Sequence, residues 1–387
     1  DMASVGAADQ AGHDDLLARL HAYEESGLRG RLAGGVSFQS RLVHREDAAF
    51  VASLPVGLRA KVQRRYMDAN RGTEDGYLDI IEDLIRVAKD MTRTEAWYGP
   101  PGPQWVGDDL MVKIADAAAR HDVGIQTHVQ ESFYERLEAE RALGVSMTRH
   151  LDDLGVLSPR LSFAHAVWST EADIAILAET GAAISHNPSS NLRLRSGIAP
   201  MNALRGAGVT VGLGMDGTTI GDDEDMFAEM RLAHRLHRTT RIGGPAPTLA
   251  ETFAMTTTVG AKLLREEGHL GRLAPGYAAD MVLVDLSRIS WPYIAPEADP
   301  LALVVERAKQ GDVHTVLVGG EVVLADGLPT RFDFIGAAEE LGRRLSETAV
   351  DTEFAALYTE LRPHIEAWYA AWPAPELEPW SIFNSRV

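Results

Sequence analysis

Cysteine is absent from the 387 residues. That excludes a disulfide framework, a thiolate nucleophile and every Cys-ligated zinc site, including that of the small deaminases that need a Pro-Cys-x-x-Cys pair. Any metal must be held by His and carboxylate, and 13 His are available. No run of 18 apolar residues occurs, so no helix spans a membrane. Residues 1–12 lack the charged-then-apolar pattern of a signal peptide. No Gly-Lys dipeptide, Gly-x-Ser-x-Gly or His-Glu-x-x-His occurs, which removes the Walker A loop, the esterase elbow and the zincin helix. Positive charge is also scarce: 37 Lys and Arg against 56 Asp and Glu leave a formal net charge of −19. Such a chain repels phosphate backbones and anionic lipid. Nucleic acid and membrane are poor partners, and small neutral or cationic ligands fit better.

What is present is a globular composition, 45% hydrophobic and 24% charged, in a chain long enough for a large core. From about residue 14 to 265, short apolar stretches alternate with longer amphipathic ones, the cadence of βα units and a parallel sheet. The expected strands are Arg31–Phe38, Glu95–Tyr98, Val123–Val129, Arg160–His165, Ala182–His186 and Thr210–Met215. Helical patterns run between them, among them Asp108–His121 and Thr170–Gly181, the latter with Ser169 as cap and Asp173 in its first turn. Six strands in order make most of a barrel.

After residue 267 the texture becomes Gly- and Val-rich. Gly271–Leu286 and Val313–Leu324, with Gly319-Gly320 as a turn, read as antiparallel strands of a small appended sheet. Residues 336–372 read as helical, and Trp368, Trp372 and Trp380 lie in the final 20 residues, where packing onto the body or a subunit partner is expected. The expected division is a barrel over 1–265, the appended sheet over 266–335 and a helical tail over 336–387.

Function in parallel α/β proteins collects at the C-terminal ends of strands. Successive strand ends here carry His128 with Glu131 following, His165, His186 and Asp216. A lone His is more often a satisfied core or surface residue, but four such positions in succession converge on one point. Neutral imidazoles with a carboxylate suit zinc or ferrous iron and favour hydrolysis by a metal-activated water. Glu131, three residues beyond His128, is placed as the general acid/base.

The strings THVQE, FAHA, SHNPSSNLRLRSG, VTVGLGMDG and LGRLAPGYAADMVLVD, in this order, resemble the amidohydrolase superfamily. The resemblance is to the mononuclear branch of cytosine, guanine and S-adenosylhomocysteine deaminases and triazine hydrolases, and it runs from about Arg29 to Phe332. It implies a (β/α)8 TIM-type barrel with a small appended β-sandwich. His128 would be the fifth-strand metal ligand, and Asp216 the eighth-strand carboxylate that binds metal and the nucleophilic water. Glu131 would shuttle the proton, and His165 would polarise the attacked atom or hold the water. The fourth strand, Glu95–Tyr98, has no lysine to bridge two metals, so one divalent metal is expected, zinc before iron. Gln104 and Trp105, after that strand, would read and stack on a heterocycle. His186 and Asn191, in the loop after the seventh strand, would face substrate, although Asn and Ser also build such turns by themselves.

Some signals carry less. Gly212-x-Gly214-x-x-Gly217 matches the dinucleotide fingerprint but closes the strand series instead of opening it, and Asp222–Asp225 stand where a pyrophosphate would approach. Those acids fit the first turn of a helix. His234 and His237 read as one helix face. No His-x-His occurs anywhere, although the resemblance implies such a pair at the end of the first barrel strand, and residues 1–4 resemble the end of the second. A segment preceding Asp1 is expected to carry the pair; the other reading is a degenerate homologue. The expectation is a cytoplasmic, dimeric aminohydrolase that releases ammonia from a purine, pyrimidine or triazine through metal-bound hydroxide. Cleavage of another C–Cl, C–N or cyclic amide bond at the same site, or a non-catalytic homologue, are the alternatives.

Overall fold

The computed structural model describes residues 2–217, 220, 223–349 and 351–373. Seven parallel strands form one sheet in chain order: β1 (Met2–Ser4), β2 (Gly30–Gly35), β3 (Thr94–Tyr98), β4 (Ile125–Val129), β5 (Leu161–His165), β6 (Ala183–His186) and β7 (Val211–Leu213). Helices connect each strand to the next, as parallel neighbours require. All six expected strands form, though β2 stops at Gly35 and β7 at Leu213, short of the expected ends. Residues 2–4 do form a strand end, paired from Met2↔Ala33 to Ser4↔Gly35.

The helix Glu74–Ala88 shows how the outer layer forms. Thr73 caps it by accepting from the Gly76 amide, and Glu74 and Asp75 sit in the first turn, where the helix dipole favours acids. Tyr77, Ile81, Leu84, Ile85 and Ala88 recur at helical spacing and are buried against the sheet. Each large apolar side chain so buried contributes about 1.5–3 kcal/mol. The helix Asp108–His121 has the bounds expected of it. For Glu171–Thr180 the cap is Thr170, not Ser169: Thr170 and Asp173 form a reciprocal capping box, while the Ser169 hydroxyl donates to the Ala166 carbonyl.

A separate antiparallel sheet orders β11 (Leu328–Pro329), β10 (Glu321–Ala325), β9 (Val313–Val318) and β8 (Met281–Val284). Gly319 and Gly320 turn β9 into β10 at φ 60° and 83°, which suits the two left-handed positions of a type I′ hairpin. Of the stretch 271–286, only 281–284 is extended, because left-handed Gly271 and Gly276 break it. Arg29 fastens this sheet to the parallel one through Asp280, at 2.8 and 3.2 Å.

The expected helix over 336–372 is two helices, Phe334–Glu347 and Thr352–Ala370. The second carries Leu357 and Leu361 into a core of their own with Val43, Phe50, Val51, Leu54, Leu58 and Val62. Trp368 packs edge-on against Phe50, and Trp372 lies beside Tyr134 and under the Arg141 guanidinium. Trp380 lies outside the described residues.

Candidate metal centre

Strand β4 buries Ile125, Thr127 and Val129 and leaves Gln126 and His128 half-buried, so period-two alternation puts His128 on the inner face. Its Nδ1 donates to the Pro101 carbonyl at 2.5 Å, which leaves Nε2 as the acceptor nitrogen. Pro101 reaches it because the chain after β3 runs hard against β2. A Cβ on Gly35 would fall 1.9 Å from the Gly99 carbonyl oxygen, and one on Gly99 2.2 Å from that of Ala33. Only glycine fits at either place.

Alternation along β5 would send His165 to the same side as buried Leu161 and Phe163. The chain instead turns left-handed at His165 (φ 76°) and Ala166 (φ 50°), a conformation that costs on the order of 1 kcal/mol per residue outside glycine. The ring thereby stacks on that of His128, with centroids 5.3 Å apart. His165 Nδ1 donates to Asn191 Oδ1 at 2.7 Å. Its Nε2 is buried and has no hydrogen-bond partner among the described residues, 3.7 Å from Glu131 Oε2 and 3.9 Å from Asp216 Oδ2.

Asp216, three residues past β7 and also left-handed (φ 70°), accepts from Ser190 Oγ at 2.5 Å. Ligand-type atoms of His128, His165 and Asp216 lie within 4.8 Å of one another. Glu131 stands beside them, its Oε1 accepting from Ser196 Oγ at 3.3 Å. Burial, and then the neighbouring His165, pull the His128 imidazole below its usual pKa, so it stays neutral and able to ligate. Two imidazole nitrogens and one carboxylate oxygen are donors that suit zinc. The buried Nε2 of His165, aimed into this cluster, is the atom that a water or substrate at such an ion would satisfy.

A sequence profile of the amidohydrolase family matches residues 38–323. The chain belongs to the amidohydrolase family. It is 36% identical over 313 residues to a 5'-deoxyadenosine deaminase of Methanothermobacter thermautotrophicus, covering 81% of this chain and 65% of that protein. It is 38% identical over 273 residues to a 5-methylthioadenosine/S-adenosylhomocysteine deaminase of Pelotomaculum thermopropionicum, covering 69% and 61%. The chain thus spans less than two thirds of either relative. Among solved structures, an adenosine deaminase from Xanthomonas campestris with bound zinc matches with a TM-score of 0.71 at 25% identity, covering 86% of this chain and 70% of that one. The zinc complex of atrazine chlorohydrolase from Arthrobacter aurescens matches with a TM-score of 0.74 at 24% identity, covering 88% and 71%. The seven-stranded sheet is accordingly that of an amidohydrolase α/β barrel.

The other expected site residues of this amidohydrolase are placed differently. Asn191 is at the cluster, but its carbonyl oxygen is taken up by His165. Gln104 is buried, and its amide donates to Glu135 Oε1 at 3.0 Å, so it is not free to read a heterocycle with that group. Trp105 is half-buried beside the His44 ring. His186 is not brought to the cluster: it is fully buried, with its Nε2 2.9 Å from that of His237. His234, in the helix Met226–Leu236, and His237, just past its end, are both buried, and His234 Nε2 lies 3.5 Å from Glu306. Asp225 caps the helix Met226–Leu236, and Asp222 lies outside the described residues.

The structure adds Ser190, Ser196, Pro101 and Glu135, which sequence reasoning missed. Glu135 accepts from the backbone amides of Glu131 at 2.6 Å and Ser132 at 3.2 Å as well as from Gln104, and so anchors the turn that carries Glu131. Burial, with Glu131 nearby, pushes its carboxyl up to about 7. Its signal was in the sequence, since Ser132-x-x-Glu135 is a capping-box string.

Proposed function

We propose that this chain belongs to a metal-dependent aminohydrolase that removes the exocyclic amino group of an adenine-type nucleoside as ammonia. The observation that carries the reading is the convergence of His128, His165 and Asp216 with Glu131 beside them. The names of the two relatives supply the substrate class.

A divalent cation at this point supplies the Lewis acidity that makes water nucleophilic at neutral pH. His128 and Asp216 would hold it, with His165 close beside them, and zinc suits these donors and occurs in both structural neighbours. His165 would polarise the attacked atom or hold the water. Glu131 would take one proton from the attacking water and deliver it to the ring nitrogen next to the attacked carbon, then carry the remaining hydroxyl proton to the departing amine, so that the ring keeps N–H and C=O and ammonia leaves. Ser196, donating to Glu131 Oε1, keeps the other oxygen turned inward. The proposal includes a cytoplasmic homodimer and the three-part division at 265/266 and 335/336.

The test is an ammonia-release assay on adenosine-type nucleosides with metal analysis of the same sample. About one equivalent of zinc is expected, and Glu131→Gln should keep the metal while lowering kcat about 10²–10⁴-fold. Undiminished turnover by that variant removes Glu131 from its role. Release of chloride or an alkylamine in place of ammonia selects another bond at the same site, and a metal-free, inactive protein selects a binding role.

A further inference from the structure

The helix Thr352–Ala370 reaches the site from far along the chain. Leu357, Leu361 and Trp368 seat it in the second core, and its last turn presents Tyr369 to segments that follow β2 and β4. The Tyr369 ring packs on that of Tyr134, three residues past Glu131, with centroids 4.6 Å apart. Trp372 closes against both, at 4.9 Å from Tyr369 and 6.3 Å from Tyr134. The Tyr369 hydroxyl accepts from the His44 amide, in the loop after β2.

That loop leads back to Glu131 through buried groups. Ser40 Oγ accepts from the Arg45 amide at 3.0 Å and donates to the Gln104 carbonyl at 2.9 Å, and Gln39 Nε2 donates to the same carbonyl at 3.0 Å. The Gln104 side chain holds Glu135 Oε1, whose other oxygen takes the Glu131 amide. Ser40, Gln104 and Glu135 are 8%, 3% and 8% exposed, so these bonds are made out of water. Arg45 also pairs with Glu138, in the helix Phe133–Leu143 that begins beside Glu131. Tyr369 therefore acts on the Glu131 turn twice, directly through Tyr134 and at one remove through the loop after β2. A proton shuttle needs its carboxylate within hydrogen-bond reach of water and ring nitrogen together, and a misplacement of about 1 Å costs up to about 10²-fold.

We infer that Tyr369 is a positioning residue of the reaction, holding the turn that carries Glu131 against the loop after β2. This rests on the reading of Glu131 as the proton shuttle. It makes the helix Thr352–Ala370 part of the frame of the site and gives Gln104 a place in that frame.

Hydrogen exchange reads the turn without any turnover. In Tyr369→Ala and Tyr134→Leu the amides of residues 131–135 should exchange about 2–10-fold faster than in the unaltered protein, with those of the helix Glu74–Ala88 unchanged. In ammonia release from adenosine, Tyr369→Ala should lower kcat about 10–100-fold with KM within about threefold and zinc content unchanged, and Tyr369→Phe, which keeps the ring, should recover most of the rate. In a Glu131→Gln background Tyr369→Ala should cost less than about twofold, because the group that it places is already gone. If Tyr369→Ala does not fold, Tyr134→Leu, altered at a residue 39% exposed, carries the same expectations. Unchanged exchange at residues 131–135, undiminished kcat, or an equal loss with and without Glu131 overturns the inference. If Glu131→Gln keeps full turnover, or the unaltered protein releases no ammonia, while exchange still quickens in the variants, the reading of the reaction fails and the hold of Tyr369 on the turn stands.

Discussion

His44 and His237 tie stability to pH. Burial pulls both imidazoles from 6.5 down to about 4, so the folded protein keeps them neutral where the unfolded chain protonates. Between about pH 6.5 and 4 the unfolded chain binds more protons. Stability is therefore fully present above that window and falls as pH drops through it. His44→Leu should flatten this acid limb, read as melting temperature against pH. Glu135 works in the opposite sense. Its carboxyl is raised from 4.5 to about 7, so the folded state holds a proton that the unfolded chain sheds, and its contribution is lost as pH rises through that range. Glu135→Gln should raise the melting temperature relative to the unaltered protein more at about pH 8 than at about pH 5. An equal shift at both would show that Glu135 is ionised throughout.

Among the elements, the cap of Glu171–Thr180 does more than start a helix. Thr170 and Asp173 cap each other, and Asp173 also accepts from Gln130 Nε2 at 3.1 Å, one residue before Glu131. Thr170→Ala should cost about 1 kcal/mol, read from the urea midpoint. Much at this scale was legible in the sequence: the six strands, the helix Asp108–His121 and the hairpin at Gly319-Gly320 all announce themselves by periodicity or turn residues. So did His128, Glu131 and Asp216, because strand ends can be counted. What could not be read is how the ends are aimed. His165 and Asp216 turn left-handed without glycine, and no local pattern marks that. His186 ends its strand as His165 does, yet it is buried against His237, a residue 51 positions away. The grip of Ser190 on Asp216 is likewise set only when separate strands meet.

At the scale of the molecule, the described residues bury two separate apolar cores. Leu361, 1% exposed, belongs to the smaller one, and Leu361→Ala should cost about 2–5 kcal/mol, read by denaturant unfolding. If it leaves the midpoint unchanged, the helix Thr352–Ala370 is not part of the cooperative unit. The Tyr369 hydroxyl accepts from the His44 amide at 3.0 Å, closing a span of 325 residues. That closure has a consequence during synthesis. Phe50, Leu54 and Leu58 are synthesised about 300 residues before Leu357 and Leu361, which cover them. At about 5–20 residues per second the first group waits on the order of tens of seconds uncovered. For that interval the nascent chain carries a greasy, unclaimed surface, a natural point of hold for a chaperone.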